Sequence, residues 1–220
     1  MADTSTEYYD TIERELYSAV VADVLDELGF RDRHMRSDIR PIYEGAKIIG
    51  RAATLLVAEV FEIPEEPYKL ELEMLDNVKP GEVLMLSTPP TRTAAIFGEL
   101  MGTRVRVLGG RGAMIDGLTR DVSQLIEMKF PVFCAGTSPA DAKGRLDVIG
   151  IRAPISVGGV LVRDGELVIA DADGCVVVPA EAENETIAKA REKVSGEDMV
   201  RDRLLDGDTL ADVFRDTGIL

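Results

Sequence analysis

Gly109-Gly110-Arg111-Gly112-Ala113-Met114-Ile115-Asp116-Gly117-Leu118-Thr119-Arg120-Asp121 is the stretch whose reading decides the fold. Its glycines bracket a short apolar run, Ala113-Met114-Ile115, too brief for a helix core and suited to a buried parallel strand entered and left through tight turns. Beyond that strand come Asp116, Arg120 and Asp121. Open α/β sheets bind ligands at the carboxyl ends of their strands, so these residues form a candidate site by position as well as by type. They also fit a plain strand-to-helix turn in which Asp116 or Asp121 caps the helix and Arg120 pairs with it.

Working outward, Gly98 and Gly102 flank Glu99, Leu100 and Met101 just ahead of a short helix expected over Thr103–Leu108 and stopped by Gly109. The amides of Leu100 and Met101 then lie at a helix N-terminus, free to bind a carboxylate; an ordinary loop is the other reading. Further upstream, Leu16, Val20, Val21, Val24, Leu25 and Leu28 fall on one face of a helix expected over Thr11–Leu28. Strands are expected at Ile48–Val57 and Val83–Leu86, with an amphipathic helix at Tyr68–Leu75 between them. Downstream come a helix at Ser123–Lys129, a strand at Phe130–Cys134, a polar loop at Ser138–Asp147 and a run of short β segments from Ile155 to Val178. Asp171-Ala172-Asp173-Gly174 resembles part of a calcium loop but lacks its closing glutamate, which makes it a hairpin turn. The pattern predicts one mixed α/β domain over residues 1–220, with an N-terminal helix at about 11–28 and a C-terminal helical arm at about 182–220.

Hydrophobic residues make up 45% and charged residues 30%, a globular balance that excludes a disordered chain. The formal charge of -15, with no Lys/Arg run, argues against a nucleic-acid surface. An anionic ligand would be repelled by such an envelope, so its site must be made locally positive by an arginine, a helix N-terminus or a metal. Cys134 and Cys175 sit in apolar strands with no partner motif, as buried free thiols in a reducing cytoplasm would. Met1–Asp10 is acidic where a signal peptide would be basic and apolar, and no stretch is long and apolar enough for a membrane span, so a cytoplasmic protein is expected.

The lone His34, in a charged loop, supports neither a histidine metal motif nor a catalytic triad. No Gly-x-Ser-x-Gly occurs, and every lysine lies outside the opening stretch, which disfavours a Schiff base there. Carboxylates plus arginine remain. Glu99 and Arg120, with twenty residues between them, both follow turns around the same strand and could face one cavity. Carboxylates with water ligands suit Mg²⁺ or Mn²⁺, and an adjacent arginine supplies the charge an anionic substrate needs. Such a set supports chemistry through an enolate.

Glu99 followed after twenty residues by Arg120-Asp121, with Gly109-x-x-Gly112-x-x-x-Asp116-Gly117, resembles the RraA-like family. That family contains the 4-hydroxy-4-methyl-2-oxoglutarate/4-carboxy-4-hydroxy-2-oxoadipate aldolases and the RraA regulators of ribonuclease E. Ala22–Asp26, Gly50–Thr54, Pro80–Val83, Phe130–Phe133, Gly158–Val160 and Ala170–Gly174 extend the resemblance through most of the chain. It implies an α/β/α swivelling-domain fold with a mixed central sheet, assembled as homotrimers or hexamers with the site between subunits. It further implies that Asp121 ligates Mg²⁺ or Mn²⁺ directly, with Glu99 and, from the adjacent subunit, Glu197 holding metal-bound water. Arg120, with Gly98 and the amides of Leu100 and Met101 in the Gly98–Gly102 loop, would bind a pyruvate-like 2-oxo acid. The implied function is a lyase: retro-aldol cleavage, or decarboxylation of oxaloacetate, to give pyruvate.

Three departures accompany the resemblance. Gln124 stands where aldolase members carry an acid, as in the regulator branch; Pro89-Pro90-Thr91-Arg92-Thr93 replaces a short polar segment; and Arg163-Asp164-Gly165-Glu166 replaces a Pro-Gly-Asp turn. The alternative function is a non-catalytic protein that binds and inhibits a ribonuclease or helicase through its acidic surface. A methyltransferase reading finds no glycine-rich nucleotide loop after the first strand.

Overall fold

The computed structural model describes residues 6–219, so Met1–Ser5 of the acidic amino terminus, and Leu220, lie outside the described residues. Helices α1 (Thr6–Glu15) and α2 (Ser18–Glu27) open the chain. A short β1 (Arg40–Pro41) precedes β2 (Ile48–Glu59), α3 (Lys69–Asp76) and β3 (Glu82–Ser87). Next come β4 (Ala95–Phe97), α4 (Glu99–Val107), β5 (Gly112–Thr119), α5 (Val122–Glu127) and β6 (Val132–Thr137). Then follow β7 (Leu146–Ile151), β8 (Ile155–Val157), β9 (Val160–Val162), β10 (Leu167–Ala170) and β11 (Cys175–Val178). Helices α6 (Glu183–Leu205) and α7 (Leu210–Thr217) close it.

The central sheet runs β1-β6-β5-β3-β2-β10-β11, with β4 added to β5 and β7 to β2, while β8 and β9 form a separate hairpin. Strands β2, β3, β5 and β6 are mutually parallel, and β1, β7, β10 and β11 join antiparallel, which gives the mixed α/β sheet expected from the sequence. Neighbouring residues of the parallel strands point into different cores. Ala53, Leu84, Ala113 and Ile115 pack beneath the layer of α3, α4 and α5, whereas Ala52, Val83, Met85 and Met114 face the β8–β9 side. Burial on both faces is what a continuous apolar run such as Val83–Leu86 encodes in a parallel strand. A third core joins α1, α2 and α6 to the β2, β10 and β11 side through Tyr9, Val21, Ile49, Ile169 and Ile187.

The single helix expected over Thr11–Leu28 is two helices. Tyr17 is extended (φ -140, ψ 161), and α2 restarts at Ser18 because a distant side chain caps it: Asp171 accepts from the Ser18 N–H at 2.7 Å and from its hydroxyl at 2.6 Å. Asp171 lies in the Asp-Ala-Asp-Gly turn of the β10–β11 hairpin, so that turn clamps a helix and forms no calcium motif.

The central strand is also longer than expected. Its first half pairs with β3 up to Ser87↔Asp116, and its last residues pair with β4 from Ala95↔Leu118. Asp116 and Gly117 therefore lie inside β5, at a register shift against β6, and are not the turn beyond it. Strand β4, absent from the sequence reading, takes over the edge that β3 leaves. It carries the chain directly into α4, which starts at Glu99 and not at Thr103.

Candidate active site

Arg120 and Asp121 leave the carboxyl end of β5 beside β4. The Arg120 N–H donates to the Phe97 carbonyl at 2.9 Å and the Thr119 hydroxyl to the same oxygen at 3.0 Å, which fixes the strand end against the start of α4. Asp121 adopts the left-handed conformation (φ 54, ψ 38), one that aspartate tolerates better than most residues. This aims its carboxylate away from its own helix. Asp121 Oδ2 instead accepts from the Glu99 N–H at 3.1 Å and lies 3.7 Å from Arg120 Nε. The strand-to-helix-turn reading is thus met in part: arginine and aspartate are adjacent, but the carboxylate caps α4, where the positive end of the helix favours it. A Cβ at Gly98 would collide with that Oδ2 and come within 3.2 Å of Arg120 Cγ, so the close approach requires glycine.

These groups open on a cavity of about 310 Å³ lined by Gly98, Leu100, Met101, Arg120 and Asp121 together with Tyr68, Glu71 and Asp141. The amides of Leu100 and Met101 fall in the first turn of α4, where a helix has no acceptor for them. The guanidinium of Arg120 pairs with Asp141 at 3.0 Å, and the Tyr68 hydroxyl donates to Asp141 at 3.5 Å. Aliphatic and aromatic side chains, among them Leu75, Ile96 and Phe97, form the rest of the wall.

Other predicted residues lie elsewhere. The Glu99 carboxylate accepts from the Thr103 hydroxyl at 2.7 Å and opens on an adjoining groove shared with Arg106, Gln124 and Glu127, and Glu99 does not line the cavity of Arg120. Glu197 accepts a hydrogen bond from the Tyr17 hydroxyl within the same chain. Asp116 faces the opposite side: it accepts from Arg36 at 2.5 Å and from the Gly158 N–H at 2.9 Å. His34 lies away from the cavity, bridged to Val176 of β11. Both cysteines are buried and free, and burial pushes their thiols up, leaving them unreactive. No helix among the described residues is long and apolar enough to cross a membrane.

Among the described residues, no three His, Cys, Asp or Glu side chains converge as a metal cage. Among the described residues, Asp121 uses only Oδ2 in hydrogen bonding, which leaves its other carboxylate oxygen without a partner there. That donor fits a hard cation such as Mg²⁺, which keeps several waters and takes one or two protein carboxylates.

The sequence reading missed Tyr68, Glu71 and Asp141. Glu71, 7% exposed, has no hydrogen bond or ion pair among the described residues. Burial, then the charges of Asp147 and Asp141, push its carboxyl up to about 7 against the opposing pull of Arg120. The folded chain therefore holds this proton more tightly than the unfolded chain, whose glutamate titrates at 4.5. No penalty exists below that value; it grows as pH rises and levels off above the folded value. Glu71→Gln is expected to stabilise the protein by up to about 3 kcal/mol at pH 8 and negligibly at pH 4. Urea midpoints measured across that range check the sign and the window.

Comparison with known proteins places this architecture. The RraA-like family description, Aldolase/RraA, matches residues 18–177. A Halalkalibacterium halodurans protein named "Putative 4-hydroxy-4-methyl-2-oxoglutarate aldolase" is 31% identical over 198 residues, covering 90% of this chain and 89% of that protein. The crystal structure of Streptomyces coelicolor RraAS2, described as an unusual member of the RNase ES inhibitor RraA protein family, superposes with a TM-score of 0.78 at 29% identity. It covers 91% of this chain and 98% of its own. An uncharacterized Pseudomonas syringae pv. tomato protein superposes with a TM-score of 0.85 at 25% identity, over 98% and 96% of the two chains. With more than half its length matched by the family and its architecture shared with these structures, the chain belongs to the RraA-like family.

Proposed function

We propose that this protein is a divalent-metal-dependent lyase that breaks a C–C bond of a 2-oxo acid and releases pyruvate. Its substrate would be 4-hydroxy-4-methyl-2-oxoglutarate, oxaloacetate or a close relative. The observation that carries the reading is one cavity that collects Arg120, Asp121 and the first-turn amides of Leu100 and Met101. An arginine fork and a helix N-terminus form a carboxylate-binding pair within an envelope of net charge -15. The aldolase name of the Halalkalibacterium halodurans relative adds support.

In this mechanism the substrate carboxylate replaces Asp141 on Arg120 and takes hydrogen bonds from the two amides. Asp121 would hold Mg²⁺ or Mn²⁺ through its free oxygen; Glu197 from an adjacent subunit of a trimer or hexamer would act through water, and Glu99 would do so only by swinging its carboxylate out of the adjoining groove. When bound, the cation supplies Lewis-acid stabilisation of negative charge on the substrate oxygens. Arg120 anchors the substrate by keeping its positive charge at the carboxylate end. The apolar wall limits water around the reacting carbon.

The test is to incubate the purified protein with oxaloacetate and with 4-hydroxy-4-methyl-2-oxoglutarate in Mg²⁺ or Mn²⁺ and to follow pyruvate, with Asp121→Asn as control. Pyruvate from either substrate supports the reading, and no turnover of both overturns it. A second reading, a non-catalytic inhibitor of a ribonuclease E-type enzyme or helicase, draws on Gln124 and on the likeness to Streptomyces coelicolor RraAS2. It predicts inhibition of ribonuclease E that survives Asp121→Asn.

A further inference from the structure

We propose that Glu71 is the proton-transfer residue of the cavity, a buried carboxyl on α3 that serves the carbon centre while Arg120 and α4 hold the substrate carboxylate. The proposal rests on the lyase reading and adds a residue to it.

Three structural facts point to this role. Glu71 lines the same cavity as Arg120 and Asp121. It is more than nine-tenths buried, and among the described residues it has no hydrogen-bond or ion-pair partner. Its carboxylate oxygens are therefore turned to the cavity, and a polar group that borders a ligand cavity without a protein partner is free to bond what enters. Helix α3 packs on its neighbours through the apolar Met74 and Leu75, and the Glu71 carboxyl is no part of that contact.

The charges around it suit proton exchange. Asp147 of β7 and Asp141 of the loop before β7 disfavour the ionised form, and Arg120 at the end of β5 favours it. From its own helix start, Tyr68 faces Asp141, and from α4, Arg104 is engaged by Asp76 at 2.8 Å. Strand β4 contributes the apolar Ala95, Ile96 and Phe97. The net effect is a carboxyl poised near neutrality, where a group exchanges protons in both directions.

For an aldol substrate the balance closes on one proton. The Glu71 carboxylate takes the C4 hydroxyl proton, the C3–C4 bond breaks as C4=O forms, and the bonding pair becomes the pyruvate enolate. The Glu71 carboxyl then protonates C3 and returns to carboxylate. For oxaloacetate, loss of CO₂ generates the same enolate, Glu71 again protonates C3, and water restores the proton.

The experiment compares wild type, Glu71→Gln and Glu71→Asp in two assays: pyruvate release from oxaloacetate across pH 5–9, and exchange of the pyruvate methyl protons with D₂O followed by NMR. Glu71→Gln is expected to lose about 10²-fold in kcat and in methyl exchange with KM little changed, and to lose a near-neutral ionisation from the pH profile. Glu71→Asp is expected to recover part of the rate with that ionisation restored. ¹³C-carboxyl NMR of the wild type is expected to show a glutamate titrating near 7 that vanishes in Glu71→Gln, a readout independent of turnover. An active wild type with a Glu71→Gln variant of equal rate and unchanged pH profile overturns the Glu71 proposal and leaves the lyase reading standing. A wild type with neither pyruvate release nor methyl exchange overturns the lyase reading itself.

Discussion

Asp121→Asn is expected to lower metal-dependent turnover by about 10²–10³-fold while leaving the fold intact, the scale on which loss of one preorganised electrostatic group is felt. Asparagine suits this test because it tolerates the left-handed backbone that Asp121 adopts, and its amide oxygen can still accept from the Glu99 N–H. What disappears is the negative charge, and with it the oxygen that would hold a hard cation. The expected signature is a weaker metal titration and a lower kcat, with a urea midpoint near that of the wild type. An unchanged metal titration would show that Asp121 is not the ligand.

Arg120→Met is expected to act on a different constant. Charge-assisted hydrogen bonds contribute about 1.5–3 kcal/mol each, so losing the guanidinium should raise KM for a 2-oxo acid by about 10–100-fold. The side chain is partly exposed, and its present partner Asp141 is partly exposed too, so the stranded carboxylate regains water and the folding cost is small. Lysine should restore little, because a single ammonium cannot present the planar fork. Steady-state kinetics on both variants separate the two roles: a KM effect for Arg120, a kcat and metal effect for Asp121. A kcat loss with unchanged KM in Arg120→Met would contradict the carboxylate-anchor assignment.

The sequence made the parallel strand legible because Ala113-Met114-Ile115 is an apolar run closed by glycines, and it placed Arg120 and Asp121 at that strand's end. Other features depend on tertiary contacts that carry no local signal. The helix break at Tyr17 is invisible in the apolar spacing, since α1 and α2 keep their apolar faces on one core; its cause is Asp171, more than a hundred residues away. Gly102 looks like a helix boundary but lies inside α4, where an added Cβ would come within 2.9 Å of Leu125. The same misreading hid the true start of α4 at Glu99, and so hid that the Glu99 side chain turns toward Thr103 and Gln124.

Glu71 illustrates the limit most clearly. In Lys69-Leu-Glu-Leu-Glu-Met74 it is one of two acids two residues apart, which a helix turns to different sides without saying which side is covered. Yet Glu73 is exposed and Glu71 is buried, because α3 lies against β7 and α4 on that side. Asp141, in a loop of polar residues, likewise gains meaning only when the end of β5 brings Arg120 to it. A candidate site assembled from two helices, a strand end and a loop is thus only half encoded in any one stretch.

The proposed chemistry depends on a divalent cation working at Asp121. The most direct measurement strips the wild-type protein with a chelator, then follows pyruvate from oxaloacetate as Mn²⁺ is added back, with Asp121→Asn alongside. The expected result is no turnover in the stripped protein, saturable recovery in the wild type and little recovery in the variant. Turnover that persists without metal, or recovery equal in both proteins, would contradict it.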